Sequence, residues 1–293
     1  MPTHFLFLRL TALAAGLCFV SCQKEAAPPI APPVTPVGPG LPLSEHLTLG
    51  NPSFATADPA QPTNYLLSKA QYAASYHRDR GIPNWVSWRL AAEWRGAAAR
   101  QDDFRPDEAL PAGWYRVSST SYSGSGFDRG HLCPSADRTS TVPDNSATFL
   151  MTNIMPQAPR NNQQTWANLE DYCRTALAAG NEVYVVAGSY GRGGTGANGY
   201  ATTLDQGRVT VPARCWKVVV ILPTGAEDAT RVTASTRVIA VDTPNDNAIG
   251  TNWGTYRTSV DAIEAATGYD LLSAVSSTVQ QVVEARVDAG PTN

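Results

Sequence analysis

Histidine is scarce in this sequence, and one histidine is a candidate general base. The 293-residue chain contains four histidines, His4, His46, His77 and His131, and only the last lies in a compact polar motif, DRGH at 128–131. Imidazole is the side chain whose unperturbed pKa lies closest to neutral pH, so His131 is the leading candidate for proton transfer. The scattered histidines and the lack of a Cys-x-x-Cys pair argue against a zinc site.

A second polar cluster lies downstream of the histidine motif. Asn162, Trp166 and Glu170 follow one another at intervals of four residues. On a helix beginning near Asn162 the three side chains share one face, because they drift only about 80° around the axis. An amide oxygen and a carboxylate are hard ligands that suit Mg²⁺, which keeps several waters and binds substrate phosphate as well. The cluster therefore predicts a magnesium site on the helix.

Each polar residue near these motifs also has a structural interpretation. Asn162 could cap the helix N-terminus, a position that asparagine favours and that does not exclude metal binding. Trp166 is expected to pack in the core, and Glu170 could be a solvated helix residue. Asn153 is expected to bond loop backbone, and Asp128 to orient its loop without a catalytic role.

The combination of motifs resembles the DNA/RNA non-specific endonucleases. The matching residues are DRGH at 128–131, N-x-x-P-Q at 153–157 and N-x-x-x-W-x-x-L-E at 162–170. A four-residue motif alone is weak support, whereas the spaced asparagine, tryptophan and glutamate make the resemblance specific. The likeness extends over most of the chain, from NYLLSKAQYAASY at Asn64 to NWGTYRTSVDAIEAATGYDLL, which ends at Leu272.

The resemblance implies a ββα-metal core, in which a strand carries the histidine and the following helix carries a metal-binding asparagine. Position by position, His131 is similar to the family's general base and Asn162 to its direct Mg²⁺ ligand. Glu170 matches the acidic residue that holds water on the metal. The implied cofactor is Mg²⁺, with Mn²⁺ as a substitute ion.

The resemblance also implies phosphate-facing arginines and an activity. Arg129 matches an arginine that faces the phosphate or supports the site. The family also has a second site arginine upstream of the histidine motif. Arg100 and Arg105 are the two candidates for that position, and Arg100 is preferred. None of these residues reads a base edge, so the implied activity is hydrolysis of DNA and RNA with little sequence preference, leaving 5′-phosphate ends. Two alternatives stay open: a phosphodiesterase restricted to a narrow substrate, and a surface lipoprotein that binds nucleic acid without turnover.

The elements that would position these residues alternate irregularly between strands and helices. A hairpin is predicted from residues 71–76 and 85–94, with its turn at 79–84. The other predicted strands are 181–188, 209–211, 215–222 and 237–241, and the predicted helices are 165–179, 260–266 and 278–286. This pattern favours an α+β fold with a layered mixed or antiparallel sheet and flanking helices. The glycine-rich stretch 188–199 lacks the lysine of a phosphate-binding loop and is expected to be a surface loop.

The N-terminus is predicted to be an export signal. Its apolar run, Leu10–Val20, is shorter than the roughly 20 residues of a membrane-spanning helix. The sequence Phe19-Val20-Ser21-Cys22 resembles a bacterial lipobox, which implies a lipid on Cys22. The predicted segments are a lipoprotein signal (1–22), a proline-rich linker (23–60), an endonuclease domain (61–288) and a tail (289–293). A simple secretory signal is the alternative; either one exports the protein, and the lipobox anchors it to a membrane of the cell envelope.

Charge and cysteine content constrain the function only loosely. The formal net charge is −3, so attraction for a polyphosphate must come from a local patch or a metal ion. If Cys22 is acylated, Cys133, Cys173 and Cys215 remain. A Cys173–Cys215 disulfide that leaves Cys133 free is predicted for an exported protein. The implied partners are DNA and RNA as substrates and, through the lipid on Cys22, a membrane. The sequence does not identify a protein partner.

Overall fold

A seven-stranded antiparallel sheet is the central layer of the chain. The computed structural model describes residues 1–2 and 44–292, so the predicted signal and Cys22 lie outside the described residues. The strands are β1 Tyr65–Ser68, β2 Ala73–His77, β3 Ile82–Leu90, β4 Asp128–His131, β5 Ile154–Gln157, β6 Asn181–Tyr190, β7 Gly194–Gly196, β8 Gly199–Ala201, β9 Thr203–Leu204, β10 Val209–Thr210, β11 Arg214–Pro223, β12 Arg237–Pro244 and β13 Arg257–Thr258. The large sheet has the order β1-β2-β3-β6-β11-β12-β13, with antiparallel pairing throughout.

The helices are short and lie between or after the strands. They are α1 Val142–Ala147, α2 Ala167–Ala178, α3 Asp228–Arg231, α4 Val260–Thr267 and α5 Ser277–Val283. A π-helical segment, Asn161–Trp166, leads directly into α2. In the described part of the chain, no helix combines the length and the apolar character that a membrane crossing requires.

The large sheet separates two apolar cores, because successive side chains of a strand point to opposite faces. On β11, Cys215 and Val219 join one core, whereas Trp216 and Val218 join the other. We call the first the site-side core, since it also contains Trp166 and Leu169 of the segment that carries the candidate site. The second, the far-side core, is covered by α4, α5 and the chain around Leu47.

The α+β fold class and the antiparallel alternative for the sheet are confirmed. The predicted hairpin corresponds to β2 and β3, although β3 ends at Leu90, and β1 was not foreseen. Three of the four remaining predicted strands and all three predicted helices are present with shifted ends, and the segment at 209–211 forms only the short β10. The glycine-rich stretch is not a plain loop, since β6 continues to Tyr190 and β7 pairs with β8.

The predicted domain boundaries are too narrow at both ends. Leu47, Leu49 and Ala55 are buried in the far-side core, so residues 44–60 belong to the folded body rather than to an extended linker. His46 is buried there too: its Nε2 donates to the Ala70 carbonyl at 2.7 Å and its Nδ1 accepts the Arg89 amide at 3.3 Å. At the other end, the Pro291 carbonyl in the predicted tail accepts a hydrogen bond from Arg237.

The predicted Cys173–Cys215 disulfide is wrong. Among the described residues, Cys133, Cys173 and Cys215 are all unpaired and buried. All three lie in the site-side core, where a thiol packs as a small apolar side chain. Burial raises the pKa of both Cys133 and Cys173 to about 12, so these thiols stay protonated and unreactive at neutral pH.

Candidate active site

A small hairpin carries the DRGH motif. β4 and β5 pair in antiparallel register, with Asp128 opposite Gln157 and His131 opposite Ile154. The glycine in the motif is required by packing, because a Cβ at Gly130 would lie 2.4 Å from Oε1 of Gln157. Together with the π-helical segment and α2 that follow, the hairpin forms the ββα arrangement expected from the resemblance.

Asn153 locks the loop that follows the histidine strand. Its Oδ1 accepts the Cys133 amide at 2.9 Å, and its Nδ2 donates to the carbonyls of Cys133 and Thr148, both at 2.8 Å. The residue is fully buried, and these bonds satisfy both donors of its amide. The structural interpretation of Asn153 is therefore confirmed.

Five residues singled out in the sequence line one cavity: Arg100, Arg129, His131, Asn162 and Glu170. A second, more open cavity shares Arg100, Arg129 and Asn162 with the first and is also lined by Asp128 and Gln163. We call the two adjoining cavities the cleft.

The structure distinguishes between the two upstream arginine candidates. Arg100 lines both parts of the cleft and donates to the Ser135 hydroxyl at 3.0 Å. Arg105 is absent from the cleft lining and instead donates to Asp103 at 2.7 Å and to the Ser146 carbonyl at 2.9 Å. Of the two candidates, Arg100 is therefore the one that lies in the cleft with Arg129.

Two phenylalanines hold the cationic side chains in place. The guanidinium of Arg129 lies 4.2 Å from the ring centroid of Phe104, and that of Arg100 lies 4.9 Å from the ring centroid of Phe149. The His131 ring contacts both, at centroid distances of 5.3 Å and 4.8 Å. This aromatic pair orients the histidine and both arginines through cation–π and edge contacts. Sequence reasoning missed it, because the two rings belong to separate loops.

His131 is neutral in this environment. Its side chain is buried, with 8% of its surface exposed, and its Nε2 has no hydrogen-bond partner among the described residues. Burial, and then the positive charges of Arg100 and Arg129, lower the pKa of His131 from 6.5 to about 3. The imidazole therefore has a lone pair available at neutral pH, as a general base requires.

This lowered pKa makes the protein less stable in acid. Below pH 6.5 the unfolded chain binds a proton at His131 that the folded chain excludes until about pH 3, so folding stability falls as the pH falls through that window. The loss is about 1.4 kcal/mol per pH unit for one such group. In chemical denaturation with EDTA, His131→Gln should therefore lose about 2 kcal/mol less stability than wild type between pH 6.5 and pH 4.5, because the unfolded histidine is only half protonated at pH 6.5. Equal losses in the two proteins would contradict the neutral buried state.

Asp128 orients the amide of Asn162. The Nδ2 of Asn162 and the Nε2 of Gln163 both donate to Oδ2 of Asp128 at 2.8 Å. Since the amide nitrogen of Asn162 is held by this carboxylate, its Oδ1 is left free as an acceptor. Asn162 does not cap an α-helix; it lies in the π-helical segment, a deviation that occurs often at functional sites.

Glu170 is held by a buried lysine that sequence reasoning missed. The Nζ of Lys217 lies 3.2 Å from Oε1 of Glu170 and 3.9 Å from the ring centroid of Trp166. Burial raises the pKa of Glu170, and the lysine charge offsets part of this effect. Glu170 is thus not a solvated helix residue, and Trp166 packs in the core as expected, with its Nε1 donating to the His131 carbonyl at 3.2 Å.

The donor set of the cleft fits a hard divalent cation. Asn162 offers an amide oxygen whose orientation is fixed by Asp128, and Glu170 offers a carboxylate in the same cavity. Few protein oxygens in an open cavity are typical of Mg²⁺, which keeps several waters.

Fold and cleft together define a class of protein: a hydrolase with a ββα core and a cleft suited to a phosphodiester. The family profile described as "DNA/RNA non-specific endonuclease" matches residues 49–278 of this chain. The chain therefore belongs to the DNA/RNA non-specific endonuclease family and is an enzyme that hydrolyses nucleic acids.

Named relatives agree with this assignment. A protein named "Nuclease" from Nostoc sp. is 50% identical over 279 residues, which cover 95% of this chain and 96% of that protein. Human mitochondrial endonuclease G is 32% identical over 210 residues, covering 69% of this chain and 68% of that protein. The fold is similar to a structure of the EndoG/EndoGI complex, with a TM-score of 0.63 at 23% identity, covering 80% of this chain and 92% of that one.

Proposed function

We propose that this chain is an exported, metal-dependent endonuclease that cleaves DNA and RNA with little sequence preference and leaves 5′-phosphate ends. The proposal is carried by one observation: a neutral histidine, two arginines, an oriented amide and a carboxylate line the same cavity. These are the groups needed to activate water, neutralise phosphate charge and hold a metal ion.

His131 is the proposed general base. Its neutral imidazole accepts the proton of the water that attacks phosphorus, and the aromatic pair of Phe104 and Phe149 fixes the ring while this happens. The positive charges that lower its pKa belong to Arg100 and Arg129. A bound phosphate would offset these charges, which makes the imidazole a stronger base in the presence of substrate.

Arg100 and Arg129 are the proposed phosphate ligands. Both side chains line the open part of the cleft, and guanidinium groups make paired hydrogen bonds to phosphate oxygens. They would stabilise the charge that grows on these oxygens as water attacks. Contacts of this kind position a nucleic-acid backbone and carry no sequence information, which supports cleavage without sequence preference.

Asn162 is the proposed direct ligand of Mg²⁺ or Mn²⁺, and Glu170 is proposed to hold water beside the ion. When bound, the ion would neutralise phosphate charge and stabilise the leaving oxygen. The Asp128 carboxylate accepts a hydrogen bond from Nδ2 of Asn162, which leaves Oδ1 of Asn162 as a free acceptor. The charge of Lys217 favours the ionised form of Glu170.

Substitution of Asn162 by alanine tests the metal site. With plasmid DNA and RNA as substrates, wild type should cleave both with Mg²⁺ and neither with EDTA. Asn162→Ala should be at least about 100-fold slower at 1 mM Mg²⁺ and recover part of this loss at higher Mg²⁺ or Mn²⁺, because weaker ligation is offset by mass action. Asn168→Ala, in which the lost amide bonds the Thr251 carbonyl of a surface loop, is the matched control and should retain activity.

Two results would contradict the proposal. Unchanged metal dependence in Asn162→Ala would exclude this residue as a ligand. Binding of nucleic acid without cleavage by folded wild type, in both Mg²⁺ and Mn²⁺, would favour the alternative of a binding lipoprotein.

The proposed location rests on the N-terminal sequence. A lipobox ending in Cys22, followed by a proline-rich stretch, supports anchoring of the domain to a membrane of the cell envelope. Radioactive palmitate supplied to expressing bacteria should label the wild-type chain and not Cys22→Ala, and labelling of neither protein would refute the lipid anchor.

A further inference from the structure

Three carboxylates converge at the C-terminal end of the fold, on the opposite face of the large sheet from the cleft. Asp261 and Glu264 lie on α4, and Glu284 immediately follows α5. One carboxylate oxygen of each residue lies within 4.8 Å of the corresponding oxygens of the other two. The apolar residues of these helices, Ile263 and Val283, pack in the far-side core, whereas the cleft belongs to the site-side core.

Glu284 reaches into this cluster with an unsatisfied carboxylate. Its side chain is buried, with only 7% of the residue exposed. Its Oε1 is inaccessible to solvent and has no hydrogen-bond partner among the described residues. A buried, unpartnered carboxylate oxygen costs folding free energy unless a cation or donor compensates it. The unpaired oxygen of Glu284 therefore points to a ligand independently of the convergence of charges.

No described positive side chain pairs with the cluster. None of the three carboxylates forms a salt bridge with any described residue, although many other acidic side chains of the chain do. Burial, followed by the like charges of Glu264, Asp261 and Asp270, raises the pKa of Glu284 to about 7. No ion pair in the described part of the chain compensates this repulsion, and a bound cation would relieve it.

The surrounding contacts hold the carboxylates in place. The amide of Leu271 donates to Oε1 of Glu264 at 2.7 Å, and the amide of Asp261 donates to the main-chain carbonyl of Glu284 at 3.1 Å. Asp261 is exposed, so an ion can enter from solvent and keep waters on that side. The arrangement combines one anchored carboxylate, that of Glu264, with a main-chain bond between α4 and the end of α5 and an open path to solvent.

We propose that Asp261, Glu264 and Glu284 form a second cation site, which binds Ca²⁺ and fastens α5 to α4. Three converging protein carboxylates suit Ca²⁺, which accepts six to eight oxygens in irregular geometry at about 2.3–2.6 Å. Mg²⁺ demands near-ideal octahedral geometry and is held by fewer protein carboxylates, with substrate phosphate completing its shell. The family profile ends at residue 278, so Glu284 ties a segment beyond it to the body.

Ion counting tests the site directly. Asn162→Ala and Asn162→Ala/Glu284→Gln are dialysed against ⁴⁵Ca²⁺, and the bound ion per chain is measured. We expect the second protein to bind one Ca²⁺ fewer than the first. The difference, rather than either number alone, is decisive, so the result does not depend on what the cleft binds. Equal binding by the two proteins would overturn the proposal.

Thermal unfolding gives a second measurement. At Ca²⁺ concentrations of about 100 times Kd, the wild-type Tm should rise by about 5–10 °C relative to EDTA. Glu284→Gln should lose this shift while keeping wild-type nuclease activity at 25 °C in saturating Mg²⁺, since Glu284 is remote from the cleft. Glu108→Gln, which changes a carboxylate that is 78% exposed, is the matched control and should keep the shift.

Three further results would also decide whether the cluster binds Ca²⁺. If Glu284→Gln fails to fold, Asp261→Asn at the exposed edge replaces it and should weaken Ca²⁺ binding at least tenfold. A wild-type Tm that does not respond to Ca²⁺, together with a Glu284→Gln protein of raised Tm in EDTA, would show that the cluster is relieved by protonation and not by a metal. An equal Tm rise with Mg²⁺ at the same concentration would overturn the assignment to Ca²⁺.

Discussion

Replacement of His131 by alanine is expected to lower kcat for plasmid DNA cleavage by about 1,000-fold or more while leaving the protein folded. It is the only described histidine that lines the cleft, and its lowered pKa keeps it unprotonated at neutral pH. Alanine removes the proton acceptor but leaves Arg100, Arg129 and Asn162 in place. Binding of a short oligonucleotide should therefore change far less than the rate of its cleavage.

Two controls separate loss of the base from loss of structure. His77→Gln changes a half-buried histidine at the end of β2 that is not part of the cleft, and should retain activity. Imidazole added to His131→Ala should restore part of the rate, because the missing ring leaves a space between Phe104 and Phe149. A variant that keeps more than about a tenth of the wild-type kcat would exclude His131 as the base.

Four of the five predicted cleft residues could be assigned from the sequence because they lie in local motifs. DRGH lies on one strand and the asparagine–glutamate spacing on one helical segment, so a short stretch of chain determines each geometry. The choice between Arg100 and Arg105 could not be made in this way. It depends on Ser135 and Phe149, which contact Arg100 from distant parts of the sequence.

Boundaries and pairings failed where they depend on tertiary packing. Residues 44–60 follow a run of prolines and have little regular structure, yet Leu47 and Leu49 cover the far-side core. The predicted disulfide assumed that Cys173 and Cys215 were close enough to bond, and spacing along the chain carries no such information. The π-helical segment at Asn162 also escaped prediction, because the apolar periodicity of a helix does not report a local change in its hydrogen bonding.

One missed feature had left a signal in the sequence. Lys217 stands in the apolar strand CWKVVVIL, between Cys215 and Val219 on the same face. A strand buried on both faces leaves no room for an unpaired ammonium, so a lysine at this position implies a buried partner. The structure identifies the partner as Glu170, a residue already assigned to the site.

Substitution of Lys217 by methionine should therefore reduce both stability and activity. Methionine is similar in length but leaves the Glu170 carboxylate buried without its counter-charge, and loss of one partner of a buried pair costs about 3–5 kcal/mol. The pKa of Glu170, already raised by burial, would rise further, so more of the carboxylate is protonated at neutral pH. We expect cleavage at pH 7 to fall about 10- to 100-fold, the size of effect typical for loss of an outer-shell partner of a metal site.

The pH profile distinguishes this mechanism from simple destabilisation. Because a raised pKa means that Glu170 ionises only at higher pH, the activity of Lys217→Met should recover as the pH rises, whereas wild type should be nearly constant over the same range. Lys69→Met is the matched control: it breaks another buried pair, with Nζ 2.8 Å from Asp107, but that pair does not line the cleft. It should lose stability and keep both its activity and its pH profile at temperatures where it is folded.

A double variant completes the argument. Lys217→Met/Glu170→Gln removes both charges, so it should regain much of the stability lost in Lys217→Met, because neutral replacements of a buried ion pair are often tolerated. It should not regain activity at any pH, since the carboxylate itself is gone. If the double variant recovered both stability and activity, Lys217 and Glu170 would be a purely structural pair. Recovery of stability alone would show that the lysine serves the cleft by keeping one buried carboxylate charged.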